Sequence, residues 1–139
     1  MKGDSVGNLE QWGRVLEQLD QWRHAGELDS HQEDLLWLLR VEGNWRLREA
    51  ALEMLGSLRQ PLPQLIHEAC GIATDESLYH EVRILAAEAV TAALSSGGTP
   101  RGGNVSPVGE VRERLHALLE STQPPIIHLA LRRVLPRIE

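Results

Sequence analysis

Two histidine–glutamate pairs are the residues of this chain best suited to metal chemistry. They are His67-Glu68 and His80-Glu81, in each of which an imidazole stands beside a carboxylate. Both groups are metal ligands, but a metal site needs several such ligands to converge. The pairs begin only 13 residues apart, and no third pair occurs in the chain. The sequence therefore favours a protein without a metal, and a metal-dependent enzyme built on these pairs is the less favoured alternative.

The other common catalytic patterns are absent from the sequence. No HExxH, P-loop or Ser/His/Asp set occurs, and the Gly-rich stretch 95–107 lacks the GK[ST] ending of a phosphate-binding loop. Cys70 is the single cysteine, so an internal disulfide is impossible and a cysteine-bound zinc is not expected. We therefore predict a non-enzymatic protein with no cofactor, in which Cys70 occupies a core position.

Charge is distributed unevenly along the chain. The formal net charge is −6, and residues 1–95 contain sixteen acidic and eight basic residues. Residues 96–139 contain four acidic and six basic residues. Surfaces that bind nucleic acid are normally basic, so nucleic acid is not the expected partner. The alternative is a nucleic-acid-binding protein that uses a C-terminal arginine cluster, whose members are Arg112, Arg114, Arg132, Arg133 and Arg137.

No segment of the sequence predicts a membrane span or a secretory signal. The opening MKGDSVGNLEQW has no apolar stretch of the length that a signal peptide needs. The longest tight apolar run, LLWLL at 35–39, is far shorter than the roughly 20 residues that cross a bilayer. We therefore expect a cytoplasmic protein that does not bind membranes.

Helical periodicity runs through the whole chain, because apolar residues recur three and four positions apart. Glycine and proline divide this pattern: Gly26 is expected to end the first helix, and Gly43 precedes Asn44, a good N-cap for the third. The sequence thus predicts an all-α protein of about seven helices. The second is apolar nearly all round, which predicts burial between neighbours. The fifth is expected at about 77–94, the sixth at 108–121 and the seventh at 125–138.

One helix is echoed along the sequence. LREAALEMLGSL at 47–58 returns as VRILAAEAVTAA at 82–93, and IHLALRRVLPRI at 127–138 keeps the same apolar positions. Each copy follows another apolar helix, which predicts a helical hairpin used three times. We therefore divide a single domain, 1–139, into a capping helix, three repeats and a flexible loop. Their predicted ranges are 8–25 for the cap, 28–59, 61–94 and 108–138 for the repeats, and 95–107 for the loop.

The echoed helix resembles the second helix of HEAT repeats, which tends to read V-R-x-x-A-A-x-A-L-G-x-L. The resemblance to short bacterial HEAT-like proteins implies an α–α superhelix. In that family an acidic residue stands about six before the arginine, as Glu42 does before Arg48. The resemblance assigns Glu42, Arg48 and Arg83 to ties between stacked repeats. HEAT-like hydroxylases hold a di-iron centre with His-Glu pairs on successive repeats, a spacing that His67-Glu68 and His80-Glu81 do not reproduce.

The repeat register also predicts a binding surface on the second helices. Residues opposite the buried stripe form a strip that is acidic first and becomes apolar and basic toward the C-terminus. Such a strip suits a protein or peptide partner of complementary charge. The predicted contact residues are Arg46, Glu49, Glu53, Glu81, Ile84, Glu88, Leu129 and Arg133, with Ile126 beside them.

The last predicted helix is apolar beyond a single stripe. Solenoid ends normally carry a polar cap, and this helix has eight apolar residues between 126 and 138. We therefore expect this end of the domain to be covered by a homodimer contact, by the Gly-rich loop or by a partner protein.

Overall fold

A computed structural model describes residues 12–95 and 107–139 of the chain. These residues form helices and turns without a strand, which confirms the predicted all-α fold of about seven helices. Residues 8–11 of the predicted capping helix and 96–106 of the predicted loop lie outside the described residues. The helices are α1 Trp12–Ala25, α2 Gln32–Leu39, α3 Trp45–Met54, α4 Pro63–Thr74, α5 His80–Ser95, α6 Val108–Glu120 and α7 Pro125–Val134.

The residues at the ends of the helices explain their limits. Gly26 and Gly43 have φ angles of 72° and 87°, which favour glycine, and they follow α1 and precede α3. The Asn44 side chain accepts a hydrogen bond from the Leu47 N–H at 3.3 Å and caps α3 as predicted. The helix α7 ends at Val134 and continues as a 3₁₀ turn through Leu135–Arg137. Pro136 has no N–H, so it cannot extend the α-helical hydrogen bonding.

The fifth helix begins later than the sequence pattern predicts. The helix α5 begins at His80 instead of about residue 77. The reason is a turn in which Asp75 Oδ1 accepts hydrogen bonds from the Ser77 N–H at 2.9 Å and the Ser77 hydroxyl at 2.6 Å. These bonds lower the pKa of the Asp75 carboxyl. Local side-chain bonds of this kind compete with helical hydrogen bonding and favour a turn.

The helices pack in two layers. One layer contains α1, α3, α5 and α7, and the other contains α2, α4 and α6, with each hairpin α2–α3, α4–α5 and α6–α7 joining the two. The helix α1, predicted as a cap, packs against α3 and so extends the layer of second helices. Among the described residues, no helix combines the length and apolar character needed to cross a membrane.

A continuous apolar core lies between the layers and includes residues of all seven helices. Five of the eight residues of α2 are buried, as its apolar pattern predicts, but the side that carries Glu33 and Trp37 is exposed. Leu35, Leu38 and Leu39 are fully buried, whereas the Trp37 side chain is 38% exposed. Cys70 is fully buried in α4, as its position on the apolar stripe predicts.

The side chains of three arginines donate hydrogen bonds to main-chain carbonyls at the ends of neighbouring helices or turns. Arg48 Nε donates to Leu39 O at 2.7 Å, and Arg83 Nε donates to Ala73 O at 3.1 Å. Each bond links a second helix to the end of the first helix in its own hairpin. Arg112 Nε donates to Ile138 O at 3.1 Å and holds the last described turn against α6. Carbonyls at helix ends lack a partner within the helix, so these bonds satisfy otherwise orphaned acceptors.

The residues predicted to tie repeats together differ in what they contact. Arg48 bonds within its own hairpin, whereas Arg83 also donates to Gln123 Oε1 at 2.9 Å, in the turn between α6 and α7. Gln123 in turn donates to Glu76 in the turn before α5. Glu42 is exposed and makes no ion pair with a described residue. Arg83 and Gln123 therefore form one of the ties between the last two hairpins.

Side chains at the start of the first hairpin fix the segment that leads into the second. The Gln32 side chain donates to Gln60 O at 2.9 Å and accepts from the Leu62 N–H at 2.7 Å. The Asp29 carboxylate accepts from the Arg59 N–H at 3.0 Å and the Gln60 N–H at 2.8 Å. Four main-chain polar groups of the linking chain are thus bonded by residues about 30 positions earlier.

The burial of Cys70 leads to a prediction about its reactivity. Burial raises the pKa of the Cys70 thiol, while nearby Arg114 lowers it and Glu110 raises it slightly further. Because the thiolate is the reactive form, we expect a disulfide reagent to label native Cys70 on the order of a hundredfold more slowly than the unfolded chain. Labelling followed by absorbance in buffer and in denaturant measures this ratio, and equal rates would contradict the buried placement.

The raised pKa also sets the direction of a pH effect. The unfolded chain releases the thiol proton first as the pH rises, so the folded state binds more protons above a pH of about 9. The contribution of Cys70 to stability is therefore complete below that pH and declines above it. A Cys70→Ala variant is the control, because it lacks this part of the alkaline decline.

Candidate functional site

The second helices α3, α5 and α7 lie side by side and present one outer face. An ion pair between Glu88 on α5 and Arg133 on α7 agrees with the repeat register, because these residues are 45 positions apart and so are the echoed stretches 82–93 and 127–138. Glu88 and Arg133 occupy the same position of the repeat. Residues at other equivalent positions, Glu81 with Ile126 and Ile84 with Leu129, are therefore expected to lie beside each other on this face.

The structure places the predicted contact residues on these three helices, with different degrees of exposure. Arg46, Glu53, Glu81, Leu129 and Arg133 are exposed, whereas Glu49, Ile84 and Glu88 are partly buried. Ile84 packs against the core, so only part of its side chain is available to a partner. The pair of Glu88 with Arg133 also means that two of the eight predicted residues already bond to each other.

Two apolar side chains of α7 are the most prominent feature of this face. Ile126 is 51% exposed and Leu129 is 64% exposed. They are three positions apart, so both lie on the same side of the helix. The other apolar residues of this segment, Ile127, Ala130, Leu131, Val134, Leu135 and Ile138, are buried within the chain itself. Of the eight apolar residues that led us to expect a cover over the last helix, only Ile126 and Leu129 are therefore exposed. We define these two residues as the apolar pair.

The α3 and α5 parts of the face carry three glutamates and two aromatic rings, and the exposed Arg46 also lies on α3. Glu49, Glu53 and Glu81 form no ion pair with any described residue. The Arg48 guanidinium lies over the Trp45 ring, 4.6 Å from its centroid, and Tyr79 meets Trp45 edge-on at 6.1 Å. Tyr79 is 68% exposed. Tyr79 was not among the contact residues predicted from the sequence. Its position directly before α5, which carries three predicted contact residues, could have indicated it.

The His-Glu pairs do not converge. His67 Nδ1 lies 3.2 Å from Glu110 on α6, and Glu68 lies 3.3 Å from Arg40 Nε. His80 and Glu81 are exposed at the start of α5. In residues 12–95 and 107–139, no three His, Cys, Asp or Glu side chains are grouped so as to hold a metal ion.

The arginines of the C-terminal cluster differ in their contacts and exposure. Arg112 bonds to Ile138 O, Arg114 donates to Thr74 Oγ1 at 3.2 Å, and Arg133 pairs with Glu88. Arg132 and Arg137 are exposed. Three of the five side chains are therefore occupied by bonds within the chain.

A groove is present on the other layer, between α4 and α6. Its volume is about 310 Å³, and Pro63, Ile66 and Val111 contribute to its walls. Arg114 also lines it, and Nη1 of that side chain is buried with no hydrogen-bond partner among the described residues. Sequence reasoning placed Arg114 in a phosphate-binding cluster and did not find the groove, because α4 and α6 are about 40 positions apart in the chain.

Two separate surfaces therefore have features that can bind a ligand, the face of α3, α5 and α7 and the groove between α4 and α6. Comparisons with protein-family models, with curated proteins and with solved structures gave no match to this chain. The residues predicted from the repeat register belong to the first surface alone.

Proposed function

We propose that this chain is a non-enzymatic, HEAT-like protein-interaction module of the short bacterial type. A partner segment binds across α3, α5 and α7, and the module serves as a scaffold for that partner. The observation that carries the proposal is the apolar pair, exposed on a face that also carries Glu49, Glu53 and Glu81. The repeated hairpins and the arginine ties at Arg48 and Arg83 support the HEAT-like assignment.

The apolar pair supplies the anchor of the proposed contact. Ile126 and Leu129 are 51% and 64% exposed, so a partner can still remove a large part of each side chain from water. Covering this apolar area contributes about 1 kcal/mol or more for each residue. Single exposed apolar residues are ordinary, but two on one side of a helix form the start of a patch.

The charges of the face define the chemistry of the partner. Glu49, Glu53 and Glu81 have no ion-pair partner among the described residues, whereas Glu88 is neutralised by Arg133. The open negative charge thus lies on α3 and α5, and the apolar pair lies on α7. A segment that carries lysine or arginine at one end and large apolar residues at the other complements both.

The proposal predicts which peptides a display library will yield. Selection on the native chain is expected to enrich peptides that combine basic and large apolar residues. The double variant Ile126→Ser, Leu129→Ser removes the anchor and is expected to weaken those peptides about tenfold or more. Fluorescence anisotropy with a labelled peptide measures the change in dissociation constant.

A matched control comes from the other layer. Trp37 is 38% exposed on α2, away from the proposed contact, so Trp37→Ser is expected to leave peptide affinity unchanged. Equal binding to the native chain and to the double variant would contradict the proposal. The apolar pair could instead be covered by a second copy of the chain. Sedimentation equilibrium detects this outcome, because such a homodimer would dissociate in the double variant.

A further inference from the structure

The N-terminal ends of the second helices lie along one edge of the module. The Trp45 ring, at the start of α3, meets the Tyr79 ring, directly before α5, with 6.1 Å between the ring centroids. Gln123, in the turn before α7, donates to Glu76 in the turn before α5 and accepts from Arg83 at 2.9 Å. These contacts bring the starts of α3, α5 and α7 together. We define this turn edge as residues 42–49, 75–84 and 121–129.

The exposed apolar side chains of the partner surface are concentrated at the turn edge. Tyr79 is 68% exposed, and the apolar pair lies at the start of the neighbouring helix α7. Tyr79 stands three residues after Glu76, and Ile126 stands at the same distance from Gln123. The bond between the two turns therefore places Tyr79 and Ile126 on adjoining segments. Among the described residues, every exposed large apolar side chain on α3, α5, α7 and their preceding turns belongs to this edge.

The exposed charges of the turn edge are mostly negative. Four exposed carboxylates stand against one exposed arginine, Arg46, and the four are Glu42, Asp75, Glu76 and Glu81. Asp75 and Glu76 precede Tyr79, and Glu81 follows it at the start of α5. Arg83 is only 2% exposed and is occupied by bonds within the chain. The surroundings of Tyr79 thus suit a basic side chain of a partner.

An arginine suits Tyr79 better than a lysine. The planar guanidinium stacks on an aromatic ring and can also donate to a carboxylate beside it, whereas the lysine ammonium is more strongly hydrated. Arg48 makes such a contact within the chain, with its guanidinium 4.6 Å from the Trp45 ring centroid. Trp45 is partly buried and already has this cation, so Tyr79 is the ring of the turn edge that is open to a partner.

We propose that the partner segment runs along the turn edge and places an arginine on the Tyr79 ring. Its large apolar residue covers the apolar pair, and its guanidinium donates to a carboxylate next to Tyr79. This contact rests on the proposed function and specifies where on α3, α5 and α7 the partner lies. Packed helices are about 8–10 Å apart, and an extended chain advances about 3.3 Å per residue. The arginine and the apolar residue are therefore expected roughly three positions apart in an extended segment.

Selection of a random peptide display library on two forms of the chain tests the proposal. The forms are the native chain and Tyr79→Leu, which keeps an apolar side chain and removes the ring. On the native chain, arginine is expected to be enriched roughly three positions from a large apolar residue. On Tyr79→Leu, the arginine enrichment is expected to disappear and the apolar enrichment to remain. Equal arginine enrichment on both forms would overturn the proposal.

The affinity of the tightest peptide selected on the native chain locates the arginine. Fluorescence anisotropy is expected to show about fivefold weaker binding to Tyr79→Leu and less than about twofold weaker binding to Tyr79→Phe, which keeps the ring. Trp37→Leu is the matched control, because Trp37 lies on α2 in the other layer, and its affinity is expected to be unchanged. An equal loss in Tyr79→Phe and Tyr79→Leu would overturn a contact with the ring.

Two glutamate variants distinguish the turn edge from the rest of the face. Glu81 and Glu53 are both exposed, but Glu81 lies at the start of α5 and Glu53 near the end of α3. Glu81→Gln is expected to weaken the same peptide about two- to threefold, and Glu53→Gln is expected to leave its affinity unchanged. A larger effect of Glu53→Gln would place the basic residue of the partner away from Tyr79 and overturn the proposal.

The double variant Ile126→Ser, Leu129→Ser separates the arginine contact from the partner surface as a whole. If this variant loses the peptide while Tyr79→Leu binds it as the native chain does, the arginine contact is wrong and the partner surface stands. If no selected peptide depends on the apolar pair, the proposed function itself is contradicted.

Discussion

Replacing Arg83 by alanine is expected to lower the free energy of unfolding by roughly 3 kcal/mol. The Arg83 side chain is only 2% exposed and donates to Ala73 O and to Gln123 Oε1. Its loss leaves two acceptors without their donor and opens a cavity between α5 and the last hairpin. Urea denaturation followed by circular dichroism measures the effect.

Two other arginines of the second-helix layer provide graded controls for Arg83→Ala. Arg48 is partly buried and makes one bond, to Leu39 O, besides its contact with the Trp45 ring. Arg48→Ala is therefore expected to lower the free energy of unfolding by about 1–2 kcal/mol. Arg46 is exposed, and Arg46→Ala is expected to change it by less than about 0.5 kcal/mol. Equal effects of Arg83→Ala and Arg46→Ala would contradict the role given to Arg83.

Replacing Gln32 by leucine is expected to lower the free energy of unfolding by about 2 kcal/mol. Gln32 is only 2% exposed, and leucine has a similar size, so the change removes hydrogen bonds rather than packing. Leu62 N–H and Gln60 O then lose the side chain that joins them to the start of α2. Because this segment connects the first two hairpins, we expect backbone amides near residues 58–62 to exchange faster with solvent.

A neighbouring glutamine provides the control for Gln32→Leu. Gln64 is exposed near the start of α4, so Gln64→Leu is expected to change the free energy of unfolding by less than about 0.5 kcal/mol. Hydrogen exchange measured by NMR locates the effect in the chain. A uniform increase in exchange over all helices would show that Gln32 stabilises the whole fold and has no special effect on the linking segment.

Local signals in the sequence predicted the helices because the chemistry that ends them is local. Gly26, Gly43 and Asn44 act within a few residues, and their φ angles and hydrogen bonds are those expected of helix ends. The start of α5 was predicted too early because Asp75 and Ser77 form a turn that the apolar pattern does not reveal.

Contacts between distant residues could be predicted only where the repeat register specifies them. Glu88 and Arg133 occupy equivalent positions, so the register placed them in one row before their ion pair was observed. Arg83 and Gln123 do not occupy equivalent positions, and their bond depends on how two turns meet. The same reason explains why Arg114 was grouped with other arginines by sequence but lies in a groove with residues of α4.

Arg48 and Arg83 both donate to main-chain carbonyls, and this determines which substitutions their partner positions tolerate. Leu39 and Ala73 contribute only backbone oxygens to these bonds, so a change of side chain at either position leaves the acceptor in place. In a library of double substitutions, arginine should therefore be required at positions 48 and 83. No substitution at position 39 or 73 should restore the stability that is lost when either arginine is replaced. Glu88 and Arg133 bond through their side chains, so that pair should show coupled substitutions, including charge reversal of both residues.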